Sequence, residues 1–218
     1  MWHILRSMDY QAVLGPDELL ADRPFTNPEN TEREAGVMQT MLEHERELAR
    51  GWRDAADAPE RVVSNKNDER GLRHLLVVPD TAALAAASDV TAIGFFGKAR
   101  ETVDHSVLFG LEEALVARMP AYGEAGLLSY YDVELALPKG SYGNLILFST
   151  PDVPEAWYGD EVHRRAVELS PGHYHTVRLH KGHVSGPLLD GGRLTIDRTK
   201  YLDFESDDVW FGLRRFAG

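Results

Sequence analysis

The sequence predicts an α+β protein, and three observations carry that prediction. From Val90 to His183 the hydrophobic pattern runs strand, helix, strand, strand, helix, strand, which is the order of a split βαβ, or βαββαβ, unit. Ahead of it lies a long segment of helical period, and behind it lie alternating segments that read as a C-terminal β-hairpin. The chain has 218 residues, of which 43% are hydrophobic and 27% charged, so it can bury a sizeable core without staples. The expected division is an N-terminal helical extension over residues 1–89, packed on the core, and a core domain with C-terminal strands over 90–218.

In the extension, Trp2 to Leu5 reads as a short edge strand. Gly15 to Asn30 holds Pro16, Pro24 and Pro28 and reads as loop. Thr31 and Glu34 fit a capping box that opens a helix running to about Asp54, with Val37, Met41, Leu42, Leu48 and Trp52 on its apolar stripe. Residues 57–71 are polar and turn-rich and read as a connecting loop. Leu72 to Val78 reads as a buried strand or an extended segment ended by Pro79. Asp80 or Thr81 then caps a short alanine-rich helix.

The core opens with Val90 to Ala99, apolar on both faces at its centre as a central strand is. Its glycines, Gly94 and Gly97, mark a bulge or a close approach. A helix follows from Thr102 or Asp104, with Val107, Leu108, Leu111, Leu115 and Met119 on one stripe and Pro120 and Gly123 at its end. Gly126 to Leu137 alternates, with Tyr131, Val133 and Leu135 on one face and Tyr130, Asp132 and Glu134 on the other. Pro138 to Ser141 supplies a hairpin turn into the strand Tyr142 to Ser149. A second helix runs from about Pro154 to Leu169 and stops before Pro171 and Gly172. The fourth strand begins at His173. Arg193 to Phe204 and Val209 to Phe216 are expected to extend or cover the sheet edge.

Charge and composition exclude several classes. Lys and Arg total 23 against 35 acids, a net charge of −12, which disfavours nucleic acid and anionic membranes as main partners. With no cysteine there is no disulfide, thiolate or Fe–S chemistry. No apolar run is long enough for a signal peptide or a membrane span, so the expected compartment is the cytoplasm. Nucleotide loops and GxSxG nucleophile motifs are absent.

The candidate site comes from alternation. Val177 and Leu179 should face the helices, and Tyr174, Thr176, Arg178 and His180 the opposite side. Placing Tyr130, Asp132 and Glu134 on that same side gives one polar face with Arg178 and His180, and the catalytic candidates are Arg178, His180, Asp132 and Tyr130. A carboxylate beside a histidine or arginine in a low-dielectric cleft supplies a general base or anchors an anionic substrate. The same residues also suit a salt-bridge network at a dimer interface. His173 and His175, at i and i+2 with His180 and His183 nearby, suit a metal only weakly, without HExxH or comparable spacing, and no metal ligand is assigned.

The stretches VTAIGFFGKAR, GLLSYYDVELA, YGNLILFSTPD, PEAWYGDEVHRRAVELSP and HYHTVRLHKG resemble the dimeric α+β barrel superfamily. The helix holding Trp157 and His163 is similar to the second helix of its small antibiotic-biosynthesis-type monooxygenases. The resemblance covers Val90 to His183 and implies a ferredoxin-like core that pairs with a second copy to close a barrel, hence a homodimer. Haem-binding members of that superfamily include haem-degrading monooxygenases, dye-decolourising peroxidases, chlorite-dismutase-like proteins and aldoxime dehydratases, which use a histidine on or near a helix as iron ligand. The ligand position of the haem-degrading members falls on Val167 here, so the resemblance leaves His163 or His105 as the haem ligand, with Phe96 among the phenylalanines lining the pocket. The expected function is that of an oxidoreductase-like enzyme, cofactor-free or haem-dependent, acting on a small, largely apolar molecule in the barrel cavity. The alternative is a non-catalytic small-ligand-binding or interaction protein using the same sheet face.

Overall fold

The structure, a computed structural model, describes residues 10–135, 141–205 and 208–216. The expected strand at Trp2 to Leu5 and most of the expected turn from Pro138 lie outside the described residues. The strands are β1 (Ala12–Leu14), β2 (Val62–Asn67), β3 (Arg73–Val78), β4 (Ser88–Ala99), β5 (Leu127–Leu135), β6 (Ser141–Phe148), β7 (Tyr174–Pro187), β8 (Leu194–Asp203) and β9 (Trp210–Arg215). The helices are α1 (Pro28–Asp54), α2 (Thr81–Ala86), α3 (Ser106–Val116), α4 (Met119–Glu124), α5 (Glu155–Gly159) and α6 (Glu161–His173). Among the described residues no helix is long and apolar enough to cross a membrane.

The class is α+β, as expected, but the sheet is larger than a four-stranded unit. Among the described residues nine strands form one mixed sheet in the order β1-β9-β8-β7-β4-β6-β5-β3-β2, with β1–β9 parallel and the other pairs antiparallel. The strands of Val90 to His183 stand together as β7-β4-β6-β5, each antiparallel to its neighbour. The C-terminal strands extend the edge as expected, β8 pairing β7 and β9 pairing β8. The N-terminal region extends the other edge. Residues 57–71, expected as loop, contain β2, whose exposed polar residues hide a strand that has only β3 as neighbour.

Both faces of the sheet are covered. On one, α1 lays Met38, Met41 and Leu42 against Val90, Ala92, Phe96, Leu145 and Leu147. Met38 and Leu42 are fully buried, worth roughly 1.5–3 kcal/mol each. Gly94 makes room for this helix, since a Cβ there would meet Met38 Sδ at 2.5 Å. On the other face α3, α4 and α5 bring Leu115, Met119, Tyr122 and Trp157 against Leu75, Val77, Leu127, Ile146 and Phe148.

Helix boundaries differ from those that the capping signals predict. Helix α1 starts at Pro28, with Asn27 as its cap accepting the Glu29 N–H; Thr31 and Glu34 are buried inside it. Pro120 does not end α3 but sits in the first turn of α4, where its missing N–H costs nothing. Pro171 lies within the last turn of α6.

Candidate functional site

Alternation along four strands builds one cavity wall. On β5 it presents Tyr130 and Asp132, on β6 Asn144 and Ile146, on β4 Ile93 and Phe95, and on β7 Leu179 and Lys181. Helix α3 closes the space with Leu108, Leu111 and Glu112, and α6 with Val162 and His163. The cavity is about 310 Å³. Most of its wall is apolar, with Phe148 and Trp157 packed edge-on at 5.9 Å between ring centroids. Few polar groups enter, the usual make-up of a small-molecule site.

The acidic and phenolic groups gather at the β5 end. Arg73 Nη2 donates to Glu112 Oε2 at 2.6 Å, and the Tyr130 hydroxyl donates to Glu112 Oε1 at 3.2 Å. Arg73 Nη1 stands 3.6 Å from Asp132 Oδ2, a looser contact than the one it makes with Glu112. Asp132 is therefore a buried carboxyl with a shared, distant cation. Burial, and next the Glu112 charge, push its pKa well above the carboxylate range, and Arg73 only partly opposes them. Burial, helped by Asp132 and Glu112, also raises the Tyr130 phenol far above its ordinary value. Burial raises Tyr142 as well, with Glu134 adding to it. Both phenols thus remain hydrogen-bond donors at neutral pH. Asn144 Oδ1 accepts the Phe95 N–H at 3.1 Å. The arrangement can donate a proton from Asp132 and hydrogen-bond a polar atom of a bound molecule.

The expected catalytic set is split. Tyr130 and Asp132 line the cavity, while Arg178 and His180 point through the other face to α1. There Arg178 Nε donates to both Glu34 oxygens at 2.9 and 2.8 Å, and Arg178 Nη2 donates again to Glu34 Oε1. His180 Nε2 donates to Glu34 Oε2 at 2.9 Å, and its Nδ1 meets the Thr199 hydroxyl at 2.8 Å. Burial works to raise the Glu34 pKa, but the bonds from His180 and Arg178 outweigh it and hold the carboxyl below its ordinary value. This is a clamp that pins α1 to the sheet. Val177 and Leu179 face the helices as expected. Tyr174, expected beside Arg178, is on the cavity side because the β4–β7 register shifts between Lys98 and Ala99.

The expected haem residues do not converge. Phe96 packs under α1, its ring 5.4 Å from that of His180, whereas His105 and His163 line the cavity on the opposite face. His105 Nε2 donates to the Arg100 carbonyl at 3.0 Å, and its Nδ1 lies 3.2 Å from Nδ1 of His173. Both ring nitrogens are engaged. Burial lowers the His163 pKa to about 4, its ring stands 5.2 Å from that of Trp157, and it hydrogen-bonds the Trp157 backbone. These residues do not fit a haem ligand set. The histidines weighed for a metal scatter too: His175 pairs with Glu205 at 2.8 Å and His183 with Asp197 at 2.8 Å. Among the described residues no group of three or more His, Asp or Glu is placed to hold a metal ion.

Sequence reasoning missed Arg73 and Glu112. The available signal was a charge inside an apolar stripe, since Glu112 follows Leu111 and precedes Leu115 on the inward side of α3. Comparison with models of known families, with curated proteins and with solved structures finds no match for this chain.

Proposed function

We propose that this chain is an enzyme that takes a small, largely apolar molecule into the cavity between the sheet and α3, α5 and α6 and moves a proton at Asp132. The observation that carries this is Asp132 itself, a buried carboxyl with a raised pKa at the acidic end of a mostly apolar cavity. Tyr130 and Asn144 stand beside it to orient a polar substrate atom, and Arg73 with Glu112 fixes the surrounding charge. Of the two oxidoreductase-like versions, the cofactor-free one uses groups that the cavity brings together. The strand order β7-β4-β6-β5 supports a ferredoxin-like core. The face that a two-chain barrel would close on carries α1, which favours a single-chain unit over a homodimer formed there.

The test is a calorimetric screen of neutral aromatic and aliphatic ketones and alcohols, followed by mass-spectrometric detection of product from each binder. Asp132→Asn should bind as well as the parent and convert nothing. Binding without conversion by the parent protein would favour the non-catalytic alternative, which the closed Arg73–Glu112 ion pair also suits. Light scattering addresses the assembly, with a monomer expected at the 24.4 kDa chain mass.

A further inference from the structure

The end of the cavity away from Asp132 carries the opposite charge. Lys181 of β7 and Arg198 and Lys200 of β8 all line it. Lys181 and Arg198 are directly cross-strand, and Arg198 is in turn cross-strand from Arg215 of β9. Like charges in register repel, and a sheet holds them together only at a cost. Lys181 donates to Asp152 at 2.7 Å and to the Pro151 carbonyl at 3.2 Å, and with the aspartate side chain 87% exposed the ion pair is screened by water. Arg198 and Lys200 make no ion pair with a carboxylate among the described residues. Lys200 Nζ instead lies 6.0 Å from the ring centroid of Tyr10. In a chain of net charge −12, three cations on a cavity wall that share a single exposed carboxylate, Asp152, are a feature that an anion would complete.

The sheet register measures the distance between the ends. One row of the cavity face reads Lys200, Leu179, Phe95, Asn144, Asp132, crossing β8, β7, β4, β6 and β5. Four strand gaps make roughly 19 Å. Between the ends the floor is Leu179 and Phe95, with no charge.

We infer that the molecule taken by this cavity is an amphipathic acid, its carboxylate held by Arg198 and Lys200 and its apolar body lying across Leu179 and Phe95 toward Asp132. This rests on the cavity reading above and adds the chemical class of the ligand. A single acidic group at the cationic rim fixes which part of the molecule reaches Asp132.

The probes are decanoate and decan-1-ol, titrated calorimetrically into the full chain. Decanoate should bind about tenfold or more tightly than the alcohol. The double variant Arg198→Gln, Lys200→Gln should abolish that difference and leave decanol binding unchanged. It removes like-charge repulsion, so its unfolding midpoint should not fall. Leu179→Trp, which fills the floor, should weaken both probes. Equal affinities for the two probes in the parent, or parent-like decanoate binding by the double variant, would overturn the inference while leaving the cavity as a site for neutral molecules. If neither probe binds, or both bind Leu179→Trp as tightly as the parent, the cavity reading itself fails and this inference with it.

Discussion

On the α1 side of the sheet the buried carboxylate Glu34 accepts hydrogen bonds from Arg178 and His180, and its charge is matched on the spot. On the cavity side Asp132 has a guanidinium at 3.6 Å that already serves Glu112 at 2.6 Å. The two groups lie on opposite faces of one sheet, both nearly inaccessible to water. Their environments shift them in opposite directions, Glu34 down and Asp132 up. A saturated carboxylate holds structure together; an unsaturated one facing a cavity is available to a ligand. The difference separates clamp from candidate site without any appeal to sequence motif.

Removing the clamp should have the largest effect. Glu34→Ala leaves the half-buried Arg178 and the buried His180 without their carboxylate partner, and about 3 kcal/mol of unfolding free energy should be lost in denaturant titrations. The pH dependence has a definite sign. Glu34 has a lowered folded pKa, so its contribution is present above the ordinary carboxylate value of 4.5 and disappears as pH falls through the lowered one. The parent should therefore weaken on acidification, and Glu34→Ala should weaken less. An unchanged acid limb would break the contrast between the faces.

Trp157→Ala comes next. Trp157 is buried between the Tyr122 ring at 5.5 Å and the Phe148 ring at 5.9 Å and borders the cavity. Truncation should cost about 3 kcal/mol, near the low end for a buried tryptophan, because it enlarges a space that already exists. Denaturant titration checks the loss. A cost below about 1 kcal/mol would mean that α5 does not hold the cavity wall.

A third carboxylate qualifies the contrast from within the α1 face. Glu45 is buried, its Oε2 accepting the Ser129 hydroxyl at 2.7 Å while Oε1 has no hydrogen-bond partner among the described residues. Burial raises its pKa to about 8. Folding opposes its ionisation, so it lowers stability progressively as pH rises from 4.5 to about 8. Glu45→Gln should leave stability unchanged below that window and raise it by on the order of 1–3 kcal/mol at the upper end. Glu34 and Glu45, on one helix, should thus show opposite pH slopes. If Glu45→Gln is destabilising at every pH, the Ser129 contact matters more than the buried charge.

The split site also marks where sequence reading stops. Within β5 the alternation of Tyr130 and Asp132 against Tyr131 and Val133 was legible, and within β7 so was the facing of Val177 and Leu179. What alternation lacks is the phase between strands: it sorts each strand into two sets but does not match a set in β5 to one in β7. Alternation alone sends the apolar set toward the helices in both strands. That rule needs one buried face, and here both are buried, Tyr131 and Val133 under α1 and Val177 and Leu179 on the cavity side. Nothing in Glu34, read as a capping partner, announced an ion pair 144 residues away in sequence with Arg178. Arg73 and Glu112 become neighbours only through the β3–β5 pairing and the placement of α3.

Asp132→Asn bears most directly on function. Asparagine keeps the volume and the Arg73 contact can relax toward Glu112, so below the ordinary carboxylate value of 3.8, where both side chains are neutral, the change should be about 1 kcal/mol or less. The sign should depend on pH. Because the fold raises the Asp132 pKa, the parent loses stability as pH rises from the ordinary carboxylate value of 3.8 toward the raised one, and the variant should lack that slope. A carboxylate that merely filled space would show neither the slope nor its removal. Substitution by leucine separates charge from polarity: Asp132→Leu should flatten the slope equally, yet it removes the polar group beside Asn144 that asparagine keeps. If a binder from the neutral panel is converted as fast by Asp132→Leu as by the parent, proton transfer at this carboxyl is not the chemistry. If conversion is lost in both variants while binding survives, the unsaturated face is the working one.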